Sequence, residues 1–306
     1  MTHYILRRIV QSLLVLLGAL VISFLILRVV PGDPATMMLS DLATPDEIAR
    51  MRVALGLDRS LWVQFAIYIK QVFSGDFGLS YRNQVPALNL VAGYLPATFE
   101  LAIASLLITL FVSIPLGAVA AIKKGSWIDN FLSIIALLGQ SIPVFWLGIM
   151  LILVFSVKLR WLPTSGRGDI SHLILPAVTL SAAQIALVAR MMRSSMLEVI
   201  RQDYIRTARA KGLSEAAVVM HHALRNAFPP VVTILGLQVG SLLGGAIITE
   251  TVFGWPGAGS LLVNSIGARD YPVVQTMIVI SAVIFITTNL MVDIIYAMLD
   301  PRVSYN

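Results

Sequence analysis

Six long, mostly apolar segments constrain what this chain can fold into: residues 9–30, 97–122, 131–157, 173–189, 228–249 and 273–299. A helix needs about 20 predominantly apolar residues to cross a bilayer. The fourth segment is the shortest, and Gln184 within it and Arg190 and Arg193 beyond it blur its end. Composition agrees with the segments. The chain is 58% hydrophobic and 12% charged, whereas soluble domains carry roughly 25% charged residues. The expectation is an all-α integral membrane protein in which residues 1–306 form one transmembrane domain of six helices.

Charge sets the orientation. Arg7, Arg8, Lys123, Lys124, Arg190, Arg193, Arg201, Arg206, Arg209, Lys211, Arg225 and Arg302 all fall on one side. Short loops rich in Lys and Arg stay in the cytoplasm, which places both termini inside. Lys158, Arg160, Arg167 and Arg269 fall on the other side, as does the long segment 31–96, which escapes the rule by its length. The net charge of +6 is therefore an orientation signal. No basic stripe interleaved with aromatics suggests nucleic acid. With no cysteine, disulfides and thiolate chemistry are excluded. Arg7 and Arg8 precede the first segment as in a signal peptide. The apolar run is too long for one and no small-residue cleavage site follows, so an uncleaved anchor is expected.

The outer segment 31–96 is not low-complexity. It begins at a helix stop, Val30-Pro31-Gly32-Asp33-Pro34. Thr44-Pro45-Asp46-Glu47 carries a capping residue, a proline at the first helical position and acids in the first turn. Ile48, Met51 and Leu55 follow at helical spacing, and Leu61, Phe65, Tyr68, Ile69 and Val72 form a second amphipathic stretch. Two short surface helices are expected; a passive connector is the alternative.

The loop 190–227 holds seven Lys/Arg and three acids between two apolar segments. Asp203 is placed to cap a helix starting at Tyr204. Tyr204, Ile205 and Ala208 fall on one face, and Arg206, Arg209 and Lys211 point away from it. Gly212 supplies a C-terminus and Ser214 a cap for the next helix, which runs through Val218, Val219 and His222 toward Asn226. Two readings fit: a solvated positive loop, or a short helix that docks on a soluble partner and transmits its displacement to the membrane.

Polar residues inside spans face a wet path or bind helices to one another. The candidates for a translocation path are Gln140, Ser141, Gln184, Gln238, Ser241 and Asn289, with Thr287 and Thr288 beside the last. Pro143 removes a backbone donor mid-span and favours a kink near Gln140. Gly240, Gly244 and Gly245 suit close helix packing. Asp293 is the one carboxylate well inside a span and reads as structural, while Glu100 and Glu250 read as interfacial. No phosphate-binding Gly-rich loop ending in Gly-Lys-Ser/Thr occurs, nor His-Glu-x-x-His, nor Gly-x-Ser-x-Gly. The chain is not expected to be an enzyme or to bind a cofactor or metal.

Asp203-Tyr204-Ile205-Arg206-Thr207-Ala208-Arg209-Ala210-Lys211-Gly212-Leu213, followed by His222-Ala223-Leu224-Arg225-Asn226-Ala227, resembles the coupling motif of dipeptide/oligopeptide-type ABC importer permeases. The general motif begins Glu-Ala-Ala with a later glycine; here those positions hold Arg206, Thr207, Ala208 and Gly212, and the later Ile and Pro positions hold His222 and Arg225. Gly75-Asp76-Phe77-Gly78-Leu79-Ser80, Ser141-Ile142-Pro143-Val144-Phe145-Trp146-Leu147-Gly148, Val252-Phe253-Gly254-Trp255-Pro256-Gly257-Ala258-Gly259 and Leu299-Asp300-Pro301-Arg302 resemble further stretches of the first-type permease with a long periplasmic loop. The resemblance covers essentially the whole chain. It implies a type I importer permease of the bacterial inner membrane, translocating peptides or similar small solutes by alternating access. It implies ATPase coupling through residues 203–212. It also implies four kinds of neighbour: a second permease subunit, two cytoplasmic ATP-binding subunits, a periplasmic solute-binding protein and the lipid bilayer. ATP hydrolysis would reside on the partner subunits. The competing reading is a self-contained ion-coupled secondary transporter, disfavoured by the lack of buried charge pairs. Dipeptides, oligopeptides, glutathione and nickel chelates are all handled by look-alikes; chain length and the loop Arg160-Trp161-Leu162-Pro163-Thr164 lean toward the glutathione type.

Overall fold

A computed structural model of the chain describes the backbone of residues 2–29, 35–36, 39, 43–54 and 56–299, and side chains of residues 10–25, 35–36, 39, 43–54, 56–236, 238 and 246–292. The motifs at Val30-Pro34 and Asp300-Arg302, Leu55, and the side chains of Arg7, Arg8, Ser241, Asp293 and the Gly240, Gly244 and Gly245 stripe, lie outside the described residues. Among the described residues, secondary structure is helical apart from one isolated bridge pairing Leu79 with Pro86. The helices are α1 (Thr2–Val29), α2 (Pro45–Ala54), α3 (Leu61–Phe73), α4 (Ala87–Ile122), α5 (Trp127–Ser141), α6 (Val144–Leu151), α7 (Ile170–Val199), α8 (Asp203–Ala210), α9 (Leu224–Val252), α10 (Ala258–Gly267) and α11 (Tyr271–Leu299). A helix or helix pair covers each of the six apolar segments. Three helices in the described residues, α4, α7 and α11, are individually long and apolar enough to cross a membrane, and α5 with α6 makes a fourth if the bent pair counts as one span.

The chain forms two compact units. One comprises residues 1–96 and 260–287. In it α3 packs on α1 through Leu20, Phe24, Phe65, Tyr68, Ile69 and Val72. Phe24 and Phe65 meet edge to face with centroids 5.1 Å apart, and the Ser23 and Tyr68 hydroxyls share a buried 2.6 Å hydrogen bond. The second amphipathic stretch of the outer segment is thus a helix with a buried face, as its spacing indicates. The first is a helix too, closed by a reciprocal capping box. The Thr44 N–H donates to Glu47 Oε2 at 2.8 Å, and the Glu47 N–H returns to Thr44 Oγ1 at 3.4 Å. Yet no residue of α2 is buried. Ile48 and Met51, at the spacing of an apolar face, are its two half-buried positions.

The other unit comprises residues 97–259 and 288–304. Its centre is α7, against which α5, α6 and α9 pack. Gly117 of α4 lets α7 come close: a Cβ there would lie 2.5 Å from the Ala189 carbonyl oxygen and 2.6 Å from Met192 Cβ. Gly236 of α9 sits equally tightly against Val292 of α11. Close packing at small residues is thus achieved at Gly117 and Gly236.

Two readings of the spans need correction. The third segment is not one helix. Ile142 is extended (φ −79°, ψ 126°), Pro143 supplies no N–H, and the two halves meet at 104°. The residue before a proline is driven from the helical region, so the kink becomes a break. The second half then passes into a π-helical turn, Ile152–Lys158. The fourth segment is longer than its apolar core: α7 continues to Val199. Its two arginines are tolerated because they are engaged. Arg193 grips the nearly buried Asp129 carboxylate with hydrogen bonds of 2.6 and 2.8 Å, and Arg190 donates to Gln140 Oε1. The Arg193–Asp129 pair fixes the first turn of α5 against α7.

The Gly117 contact is testable. Gly117→Leu should lower the thermal midpoint of the detergent-purified protein by an amount equivalent to about 1–3 kcal/mol of overpacking. Gly18→Ala, where an added Cβ meets nothing within 4 Å, should leave it unchanged.

Candidate functional site

The strongest functional candidate is the polar link between α7 and α9. After Val199 the chain turns and starts α8 at Asp203, with Gln202 in the N-cap position. This corrects the cap assignment: Asp203 is the first helical residue, and its carboxylate accepts a 3.3 Å hydrogen bond from Arg206. At the other end Gly212 adopts φ +78°, where an L side chain is strained. The Leu213 N–H then reaches the Ala208 carbonyl at 3.4 Å and the Gly212 N–H reaches Arg209 at 2.9 Å. These paired bonds satisfy carbonyls that a helix end leaves open. Ser214 caps the next helix, accepting from the Ala217 N–H at 3.4 Å. Arg209 bridges the turn to Glu215 at 2.6 Å. That next helix is Glu215–Ala217, a π-helical turn Val218–Ala223, and then α9 without interruption. It reaches Asn226 as its sequence suggests, but it is also the start of the fifth apolar segment.

The inner face of α8 is narrow. Ile205 is 0% exposed and Ala208 6%. Both join a core with Ala118 and Ala121 of α4, Met192 and Met196 of α7, and Val218, Ala223, Ala227 and Val231. Tyr204 does not share this face as fully as its spacing suggests; it is 44% exposed. Position i lies about 100° from i+1 around a helix, so Tyr204 sits at the edge, and partial burial pushes its hydroxyl pKa up. Arg206, Thr207, Arg209, Ala210 and Lys211 are exposed. The result is a basic, solvent-facing helix whose underside is part of the core that joins α4, α7 and α9.

Five of the six path candidates have described side chains. Gln140 is exposed at the end of α5, engaged by Arg190, and the Ser141 hydroxyl donates back to Leu137 at 2.9 Å within its own helix. Gln184 is buried on α7. Gln238 and Asn289 are half-buried. Near Gln140 an open, almost wholly apolar groove of about 280 Å³ runs between α4, α5 and α7.

Glu250, near a span end, is buried within the protein: it is 0% exposed. The Thr98 hydroxyl donates to Glu250 Oε1 at 2.6 Å and itself accepts from the Ala258 N–H at 2.8 Å. The Trp255 N–H closes on the Glu250 carbonyl, and its indole N–H on the Ala97 carbonyl, both at 2.8 Å. Gly257 and Gly259 lie so near the carboxylate that a Cβ at either would collide with it. The two glycines seven and nine residues after the acid are the sequence signal that this turn folds over a side chain. Glu100 is 37% exposed and paired with Arg167 at 2.6 Å.

Residues 113–305 match the family described as binding-protein-dependent transport system inner membrane component, and residues 1–102 match its N-terminal membrane component. The chain belongs to this family. It is similar, at 41% identity over all of both chains, to the dipeptide transport system permease DppB of Alkalihalophilus pseudofirmus. It is 44% identical to the glutathione transport system permease GsiC of Salmonella typhimurium, again over all of both chains, and 40% identical to DppB of Escherichia coli K12 over 100% and 99% of them. The methionine transporter MetNI in inward-facing form shares the fold, with a TM-score of 0.58 at 21% identity over 69% of this chain and 96% of the other. The protein is accordingly a multi-pass, all-α permease subunit of an inner-membrane ABC importer, not an enzyme and not a self-contained ion-coupled carrier.

Removing the anchor should loosen α8. Ile205→Ala is expected to cost about 2–5 kcal/mol of local packing. This would be read as faster tryptic cleavage after Arg206, Arg209 or Lys211 in native membranes; unchanged kinetics would contradict the anchoring.

Proposed function

We propose that this permease passes peptides or similar small solutes, glutathione among them, and is driven through α8. The single observation that carries the reading is the two-sided character of α8: a basic outer face on an inner face built into the core of α4, α7 and α9. The full-length similarity to dipeptide and glutathione permeases supports the solute class. The 305-residue alignment with GsiC supports the lean to the glutathione type.

In this mechanism the chain pairs with a second, different permease. Two cytoplasmic ATP-binding subunits dock on the α8 faces, with Asp203, Tyr204, Arg206, Thr207, Arg209, Ala210 and Lys211 at the contact. Ile205, Ala208 and Gly212 hold the helix in shape. ATP-driven closure of the ATPases displaces α8. Because Ile205 cannot leave its core without exposing apolar surface, α7 and α9 move with it as one body. A solute-binding protein delivers the cargo on the outer side, with segment 31–96 lying there. Six spans, both termini inside, with Gln140, Ser141, Gln184, Gln238, Ser241 and Asn289 toward the path, complete the arrangement. The break at Pro143 gives the third span a hinge beside Gln140 and Ser141.

A proline at position 208 removes a hydrogen bond within α8 and distorts its face. In proteoliposomes holding the complete complex, Ala208→Pro should retain ATP hydrolysis while uptake of a dipeptide or glutathione falls at least about tenfold. Uptake at the unaltered rate would contradict coupling through α8.

A further inference from the structure

The unit of residues 1–96 and 260–287 contains a polar cavity of about 260 Å³ that the transport cycle above does not use. It lies between the turn that follows Ser80 and the end of α10, and Arg82, Asn83, Tyr94, Asn264, Ser265 and Asp270 line it. Its one acid is already spent. Asp270 is 2% exposed, and its carboxylate accepts from the Ser80 hydroxyl at 2.5 Å, the Tyr81 N–H at 3.0 Å and the Arg82 N–H at 3.4 Å. Burial, with Asp270 and Tyr271 adding to it, pushes the neighbouring Tyr81 pKa up to about 12, so that phenol stays neutral. Asp270 thus staples the turn in place and offers little to a ligand.

Of the remaining groups, the Asn83 amide donates to the Ser80 hydroxyl at 3.2 Å, while Arg82, Tyr94 and Asn264 keep open donors. Among the described residues, the Arg82 guanidinium meets no carboxylate, and the Tyr94 hydroxyl and Asn264 amide take no partner. Two of the three non-glycine residues with positive φ among the described residues flank the cavity: Gln84 at 55° and Arg269 at 53°. Such conformations persist where surrounding structure enforces them, often at binding sites. Here the Asp270 staple and the Ser80–Gln84 turn do the enforcing.

We propose that this cavity is a binding site for a small carboxylate, held by the Arg82 fork with Tyr94 and Asn264 as neutral donors. A guanidinium presents parallel N–H groups that match a planar carboxylate. With one cation, Arg82, and one buried acid, Asp270, in the lining, the site suits one negative charge better than a phosphate dianion. The volume suits the end of an amino acid or short peptide, just below the range of about 300–1,000 Å³ for whole-ligand pockets. Only the source of that carboxylate, the C-terminus of an incoming peptide, rests on the function proposed above.

The test uses the full chain with its partner subunits in lipid nanodiscs and saturation-transfer NMR with four probes: L-alanyl-L-alanine, its C-terminal amide, acetate and inorganic phosphate. Dialanine and acetate should bind, the amide and phosphate should not, and Arg82→Gln should weaken dialanine about tenfold, as loss of a charge-assisted pair does. Arg50→Gln, on exposed α2, should change nothing. Equal binding of dialanine and its amide, tighter binding of phosphate, or wild-type binding by Arg82→Gln would overturn the proposal. So would weakened docking of the binding protein in Arg82→Gln with dialanine binding intact, which would assign the arginine to a protein contact. ATP-driven dialanine uptake, measured in parallel, separates the two claims. Uptake with no carboxylate binding removes the site and leaves the importer. Carboxylate binding with no peptide uptake by the wild-type complex removes the solute assignment and leaves the site.

Discussion

In hydrocarbon no water satisfies an open backbone group or a lone charge, and the rest of the structure depends on that constraint. The described secondary structure is helical, so the backbone groups are closed locally. Where the third span breaks at Ile142-Pro143, the Ile142 N–H still reaches Leu138 and the Leu147 N–H reaches Pro143, at 3.1 and 3.0 Å. Three charged or polar groups near spans are met, Arg193 by Asp129, Arg190 by Gln140 and Glu250 by Thr98, while the buried hydroxyls of Ser105, Ser113 and Tyr271 take no partner among the described residues. These pairs say less about net stability than about register, because a buried ion pair gives back much of its attraction in lost solvation.

The same constraint explains why α8 can act as a lever. A loop helix of eight residues is too short to be stable in isolation. It persists because its ends are closed by hydrogen bonds and because Ile205 and Ala208 are part of a core shared with α4, α7 and α9. A push on its basic face therefore cannot be absorbed by the loop.

Much of this is legible in the residues. Apolar length locates every long helix, and the Thr44-Pro45-Asp46-Glu47 cap, the Gly212 stop and the Ser214 cap are legible because each is a local, stereochemical signal. The features that escape the sequence depend on neighbours distant along the chain. The burial of Glu250 is not legible because Thr98, which takes up its carboxylate, lies 152 residues away. The end of α7 looks blurred because the carboxylate that accommodates Arg193 lies 64 residues earlier. The period of α2 picks out its half-buried residues, Ile48 and Met51, but period alone does not say how deeply a face is covered. The Arg82 cavity is invisible for the same reason: its lining comes from three separate stretches of chain.

Transmission through α8 requires that it move as one body with the helices on either side of it. The chain has no native cysteine, so spin labels can be placed cleanly at Arg206, on the exposed face of α8, and at Met220, 60% exposed on the helix that leads into α9. Double electron–electron resonance on the complete complex, with and without trapped ATP, reports the distance between them. One narrow distribution, unchanged between the two states, is the predicted result. A distribution that broadens or shifts by several ångströms on ATP binding would mean that the loop deforms on its own, and would contradict transmission through α8.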